Sequence, residues 1–319
     1  MEELKPFLSG VVDDKPDMRN YLYEERVGAG EPFDWNKGYD VEEEAEVNLK
    51  VETQNGSLSC VGQGWSKYAE VLNFFDEGIM RNFSAKDIYS HIRLPGGCAM
   101  VGDGAKWMVE HGVEEEANVP SYMNGYPPTE AFMAETVARN EERARRFRAL
   151  SYLTTTHNDI DFLAMMLRDN HGLVSSYIGS NSGWTARILT RPTSEDFGHC
   201  VYFGKAKIIN GKKYVGFLNS GGEKIGEKGW QWMGEDYFGF LKNIWTLRDL
   251  INNEKTMIVD EAKLNQIYNE LLLRDLKPEE ALTNGYLGKD EDFVRAEVGK
   301  SSERQLVINA INAGRSLNR

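Results

Sequence analysis

The stretch "QNGSLSC" (Gln54–Cys60), followed by "VGQGWSKYAEVLNFF" (Val61–Phe75), decides how this chain is read. Val61, Trp65, Tyr68, Leu72 and Phe75 recur at alternating spacings of four and three, which is one face of a helix, and predict a helix over 59–77. A core helix needs no cysteine in its first turn. Nor does it need Gly62 and Gly64 just inside, each of which disfavours helix by up to about 1 kcal/mol relative to alanine. A thiol nucleophile, by contrast, gains from a helix start, because the free N–H groups there favour the thiolate. The glycines fit a helix that another element or a substrate must approach closely.

Working outward, "SAKDIYSHI" (84–92) predicts a short helix capped by Ser84, and "MVGDGAKWMVEHGV" (100–113) another, ending at Gly112. "TEAFMAETVARNEERARRFRAL" (129–150) reads as one long helix whose basic end suits a helix C-terminus. "DIDFLAMMLRDNH" (159–171) is a further helix. The texture then changes. "GLVSSYIG" reads as a strand, and 198–220 as a hairpin around Asn210-Gly211, a strong turn signal. From 236 onward the pattern is helical again. Helices first and strands second point to an α+β fold with segregated halves. We expect an N-terminal arm over 1–31, a main domain over 32–250 and a helical module over 251–319.

The net charge of −13 argues against a duplex nucleic-acid partner and against adsorption to anionic lipid. No apolar run is long enough to span a membrane, and the N-terminus lacks the features of a secretory signal. Cys60, Cys98 and Cys200 match no zinc spacing and read as free thiols in a reducing, cytoplasmic setting, or in a protein packaged in a particle such as a phage. No metal or cofactor is expected. His91, His111, His157 and His171 have no partnered motif.

A thiolate needs a histidine, the histidine needs an orienting group, and donors must face the developing oxyanion. His199 lies at the start of the hairpin's first strand and Asn219 at the end of its second. A two-residue turn sets Asn219 opposite Tyr202, at the same end as His199. Nothing local brings Cys60 to them.

Taken together, "QNGSLSC" before a helix, "GHC" opening a strand and "LNSGGEKIGEKGW" (218–230) resemble the papain-like cysteine peptidases. That family has a glutamine six residues before its nucleophilic cysteine, as Gln54 stands before Cys60. Its Asn-Ser-Trp-Gly and Gly-Glu-x-Gly-aromatic motifs match Asn219 to Gly222 and Gly226 to Trp230, with glycine in the tryptophan's place. "FDWNKGYDV" is similar to its mature start and "PGGCAM" to its Gly-Gly loop. The resemblance covers roughly 32–240. It implies a helical lobe and an antiparallel β-barrel-like lobe with a cleft between them, and an enzyme that hydrolyses peptide bonds through a thioester. Cys60 would be nucleophile, His199 base and acid, Asn219 the orienter, and Gln54 with the Cys60 N–H the oxyanion hole. Gly96 and Gly97 would pair with an extended peptide or protein substrate.

Three departures stand out. Gly221 replaces the tryptophan that shields the histidine–asparagine bond. Ser57 and Leu94 replace both ends of a disulfide. The arm is much shorter than the family's inhibitory prosegment, and either lies across the surface or blocks the cleft. These leave room for two other readings, a peptidase-fold binding or structural protein with little turnover and a cell-wall peptide hydrolase. The C-terminal module resembles short helical repeats appended to surface and phage proteins, and is either a packing cap or a docking unit for a partner protein.

Overall fold

The structure is a computed structural model. It describes residues 10–15, 20, 22–23, 31–54, 56–122, 128–157 and 159–250, together with Leu264, Tyr268 and Val298. Contacts divide the chain into units 1–251 and 252–319. In the second unit Leu264, Tyr268 and Val298 are helical and buried; the rest of the expected C-terminal module lies outside the described residues.

In the first unit, β1 (Val11–Val12) and β2 (Tyr39–Asp40) precede helices α1 (Val41–Ala45), α2 (Cys60–Glu77) and α3 (Ala85–Ile92). Then come β3 (Ala99–Met100), α4 (Val101–Glu110), α5 (Glu130–Ala134), α6 (Glu141–Ala144), β4 (Ala149–Thr155), α7 (Ile160–Asp169) and β5 (Leu173–Gly179). The chain continues through β6 (Ile188–Leu189), β7 (Phe197–Ile209), β8 (Lys212–Leu218), β9 (Trp230–Gly234) and β10 (Leu241–Leu250). Eight strands form one open sheet in the order β4-β10-β5-β7-β8-β9-β6, with β2 added to β7. The barrel-like half is therefore a curled sheet without closure, antiparallel except where β6 meets β9.

Two apolar cores lie behind the two walls of a cleft. One gathers Trp65, Tyr68, Tyr89, Met108 and Trp245 around α2. The other gathers Leu163, Met166, Phe203, Phe217 and Tyr237 around α7 and the sheet. Helix α2 is buried on all sides from Cys60 to Asn73, and its glycines explain how. A Cβ on Gly62 would meet the Ala85 carbonyl oxygen at 2.5 Å, and one on Gly64 would crowd Val174 and Cys200. The first lets α3 approach and the second lets the sheet approach, so both serve packing between elements.

Two helical expectations are corrected. Residues 129–150 are not one helix: Thr129 caps α5, Asn140 caps α6, a 3-10 turn covers Arg145–Phe147, and β4 begins at Ala149. The stretch is rich in helix formers but carries no continuous apolar stripe, so nothing holds it against a core as a single rod. Residues 241–250 form β10, paired with β4 on one side and β5 on the other. Ile244, Trp245, Thr246 and Leu247 are all buried, and a central strand covered on both faces shows no alternation to tell it from a helix.

The hairpin forms at Asn210-Gly211, but its register is shifted. Lys205 pairs with Gly216 and Phe203 with Phe217, leaving Gly204 as an extra residue. Tyr202 thus faces Leu218 and not Asn219. This bulge matters for the site, because a one-residue slip moves side chains to the opposite face. With it, Asn219 falls on the side of the sheet that carries His199.

Candidate active site

Cys60 is the first residue of α2 and is fully buried. Ser59, at the cap position, makes no capping bond to the helix; its hydroxyl lies 2.8 Å from that of Ser57 instead. Burial pushes the Cys60 thiol up to about 12, against the opposing pull of the N–H groups of Cys200, Val61 and Cys60 itself. The Cys200 contact places the sulfur against β7, beside His199. Tyr177 on β5 stands edge-on to the His199 ring at 5.6 Å.

His199 is equally buried, and desolvation lowers its imidazole to about 3, with the Asn219 bond acting in the opposite direction. Its Nε2 lies 3.2 Å from Asn219 Oδ1. Burial thus disfavours both charged forms, the thiolate and the imidazolium. Of the expected residues, His199 and Asn219 are hydrogen-bonded, and Cys60 lies against the backbone of Cys200, the residue after His199.

Gln54 joins them through the backbone. Its N–H donates to the Ser220 carbonyl at 2.8 Å, Thr53 bridges Gly221, and the Gly222 N–H donates to the Glu52 carbonyl at 3.0 Å. The Ser220 hydroxyl donates to Gln54 Oε1, which leaves the NH2 of that side chain as its donating end. Gly96 and Gly97 both have positive φ, 90° and 103°. A side chain at Gly96 would meet open space, whereas one at Gly97 would collide with Leu58.

The described residues 10–14 of the arm lie between the two walls. The Gly10 N–H donates to the Gly198 carbonyl at 3.3 Å, and the Gly10 carbonyl accepts from the Ala99 N–H at 3.1 Å. Gly10 therefore bridges β7, which carries His199, and β3, which follows the Gly96-Gly97 turn. A Cβ added to Gly10 would sit 2.7 Å from the Cys60 sulfur. Beyond it, β1 runs parallel to β3, and Asp14 accepts from the Gly102 N–H at 3.0 Å and the Trp245 indole at 2.6 Å. Burial raises the Asp14 carboxyl above its ordinary range.

Glu130 was not singled out by sequence, because it fell inside the supposed long helix. One oxygen accepts from the Leu58 N–H at 2.7 Å, and the other from Tyr89 at 2.9 Å and Arg93 at 2.8 Å. It ties the loop before Cys60, which holds Ser57, to the end of α3, just before Leu94. Gln231 was also missed, although a glutamine in the otherwise apolar "WQWMG" was a visible signal. Among the described residues no group of His, Cys, Asp and Glu could hold a metal ion, and no helix is long and apolar enough to cross a membrane.

A helical wall led by a cysteine-bearing helix, facing a curled antiparallel sheet that supplies histidine and asparagine, is the fold of the papain-like cysteine proteases. Solved structures agree. Xylellain, a cysteine protease from Xylella fastidiosa, matches with a TM-score of 0.61 at 20% identity, over 78% of this chain and 99% of that one. Procathepsin B S9 from Trypanosoma congolense matches at 0.58 and 13%, over 76% and 87%. Procathepsin L2 from Tenebrio molitor larval midgut matches at 0.61 and 16%, over 76% and 78%. No protein-family model matches the sequence, and no curated protein does.

Proposed function

We propose that this chain is a papain-like cysteine peptidase held latent by its own N-terminal arm. The observation that carries the reading is Gly10, whose backbone lies against the Cys60 sulfur and bonds to both walls where a substrate backbone would lie. With the arm withdrawn, water reaches the pair and the thiol proton passes to His199. The thiolate then adds to the scissile carbonyl, forming the C–S bond and an oxyanion that the Cys60 N–H and the Gln54 amide stabilise. Collapse breaks the C–N bond as His199 gives its proton to the leaving amine. Water next attacks the thioester, passing a proton to His199, and the thiol leaves. Asn219 orients the imidazole, and Gly96 and Gly97 flank the bound peptide.

The test uses the full chain carrying Gly10→Phe, whose side chain cannot share the space with Cys60. It should be labelled at Cys60 by an epoxide inhibitor of thiol peptidases, located by mass spectrometry, and Cys60→Ala in the same background should take no label. A folded Gly10→Phe protein that is never labelled between about pH 4 and about pH 9 overturns the reading. A second reading, a binding protein with little turnover, draws support from Gly221 and from a site kept neutral and covered. Labelling without cleavage of any member of a peptide library would favour it.

A further inference from the structure

We propose that Gln231 is a positioning residue of this site, setting the direction in which Asn219 presents its amide to His199. The inference rests on the peptidase reading for its kinetic meaning, and on geometry for its substance. Asn219 is symmetric in shape but not in chemistry. With its oxygen toward His199 it accepts the Nε2 proton, holds the ring as the Nε2–H tautomer and favours the imidazolium. Rotated by half a turn it would offer NH2 to the same nitrogen and disfavour both.

Gln231 removes that choice. It is fully buried on β9, and its Oε1 accepts from Asn219 Nδ2 at 2.6 Å. Its own amide cannot turn over, because Nε2 donates to two backbone carbonyls, Trp184 and Ala186, each at 2.7 Å. A reversed Gln231 would set its oxygen against two carbonyl oxygens and its NH2 against the NH2 of Asn219, so that acceptor faces acceptor and donor faces donor. Polarity therefore passes in one direction, from the Trp184 and Ala186 carbonyls through Gln231 to Asn219 and on to His199.

The surroundings suit this role. Gly221 leaves no indole over Asn219. A Cβ there would lie 2.9 Å from Ile225 Cγ1 and 3.3 Å from Asn219 Oδ1, so the Ile225 side chain occupies the space. Ile225, at 2% exposure, excludes water but offers no hydrogen bond. Orientation has to come from elsewhere, and the Gln231 amide supplies it from the next strand.

The test compares Gln231→Met, which keeps the volume and loses the polarity, with Gln231→Glu, which as the buried carboxylic acid keeps an acceptor for Asn219 and one O–H donor for the Trp184 or Ala186 carbonyl. Both are made in the full chain carrying Gly10→Phe. Gln231→Met should lower kcat/KM about tenfold and move the alkaline limb of its pH profile downward, because the imidazolium loses its fixed acceptor. Gln231→Glu should keep that limb at or above the parent's. With Asn219 already replaced by alanine, Gln231→Met should cost less than about twofold more. If both variants move the limb equally, or neither moves it while the protein is folded, the assignment is overturned. Should Gln231→Met not fold, Gln231→Asn, one methylene too short to bridge both sides, carries the same expectation.

A protein that never labels sinks the peptidase reading, yet the orientation claim still has its own readout. In the 15N-histidine spectrum of the full chain at neutral pH, the His199 Nε2 proton should be protected from exchange. Loss of that protection in Gln231→Met supports the proposal, and unchanged protection overturns it.

Discussion

The two walls of the cleft hold their functional residues by different chemistry. On the helical side, the loop before Cys60 is pinned by an ionic cluster at the surface, in which Glu130 and Arg93 keep 28% and 25% side-chain exposure. On the sheet side, His199 is pinned by neutral amides, Asn219 and Gln231, at 1% and 0% exposure. A half-exposed ion pair is screened by salt and contributes modestly on its own. A buried amide chain ignores salt but tolerates no missing partner. The Cys60 side is therefore the adjustable one, and the His199 side is the rigid one. The arm crosses from one to the other.

The largest effect should come from breaking that crossing. Gly10 fits because it has no side chain, and phenylalanine there would need the space of the Leu58 carbonyl, 2.5 Å from the added Cβ, as well as that of the Cys60 sulfur. We expect the epoxide labelling rate of Gly10→Phe to exceed that of the unaltered chain by about a hundredfold, which corresponds to about 2.7 kcal/mol of arm binding. Equal rates would mean that the arm leaves the cleft unaided.

Glu130→Ala comes next. It removes three hydrogen bonds, two of them from the Leu58 N–H and the buried Tyr89, and should cost about 2 kcal/mol in thermal or urea unfolding. Part of this loss should already appear in the unaltered protein at about 1 M salt, roughly 0.5 kcal/mol. Gln231→Met should show no such salt dependence. If both walls responded alike to salt, the contrast between them would fail.

These contrasts also show what the sequence could reveal. Gln54, Cys60, His199 and Asn219 could be picked out as candidates because each sits in a short motif whose spacing is local. The Asn210-Gly211 turn was legible for the same reason. The bulge at Gly204 was not, since an extra strand residue shows only once its partner strand is known. β10 was misread because a strand buried on both faces loses its period of two. Glu130 gave no signal because its partner at Leu58 lies 72 residues away, and Gln231 stood out only as a polar residue in an apolar strand, its partner Asn219 being 12 residues away on another strand. The path of the arm was likewise undecidable, as a Gly-Val-Val segment fits any extended groove.

The smallest predicted effect concerns pH, and it tests whether the covered site is neutral. His199 is depressed to about 3 while covered, against an ordinary value of 6.5. The stability that a depressed histidine gives is present above pH 6.5 and is lost as pH falls toward about 3, since the open state takes up a proton that the covered state refuses. Acid should therefore loosen the arm. Asp14 opposes this. Its carboxyl is raised by burial and further by Asp103, with Gly102, Trp245 and Lys106 pulling it down, so its contribution favours the bound arm in acid and fades as pH rises. With the two acting against each other, labelling of the unaltered chain, divided at each pH by that of Gly10→Phe, should rise between about pH 7.5 and about pH 5.5 by less than the roughly tenfold that His199 alone would give. Asp14→Asn removes the opposing titration and should steepen the rise toward tenfold. A ratio flat with pH in both proteins would show that His199 does not change its proton when the arm leaves.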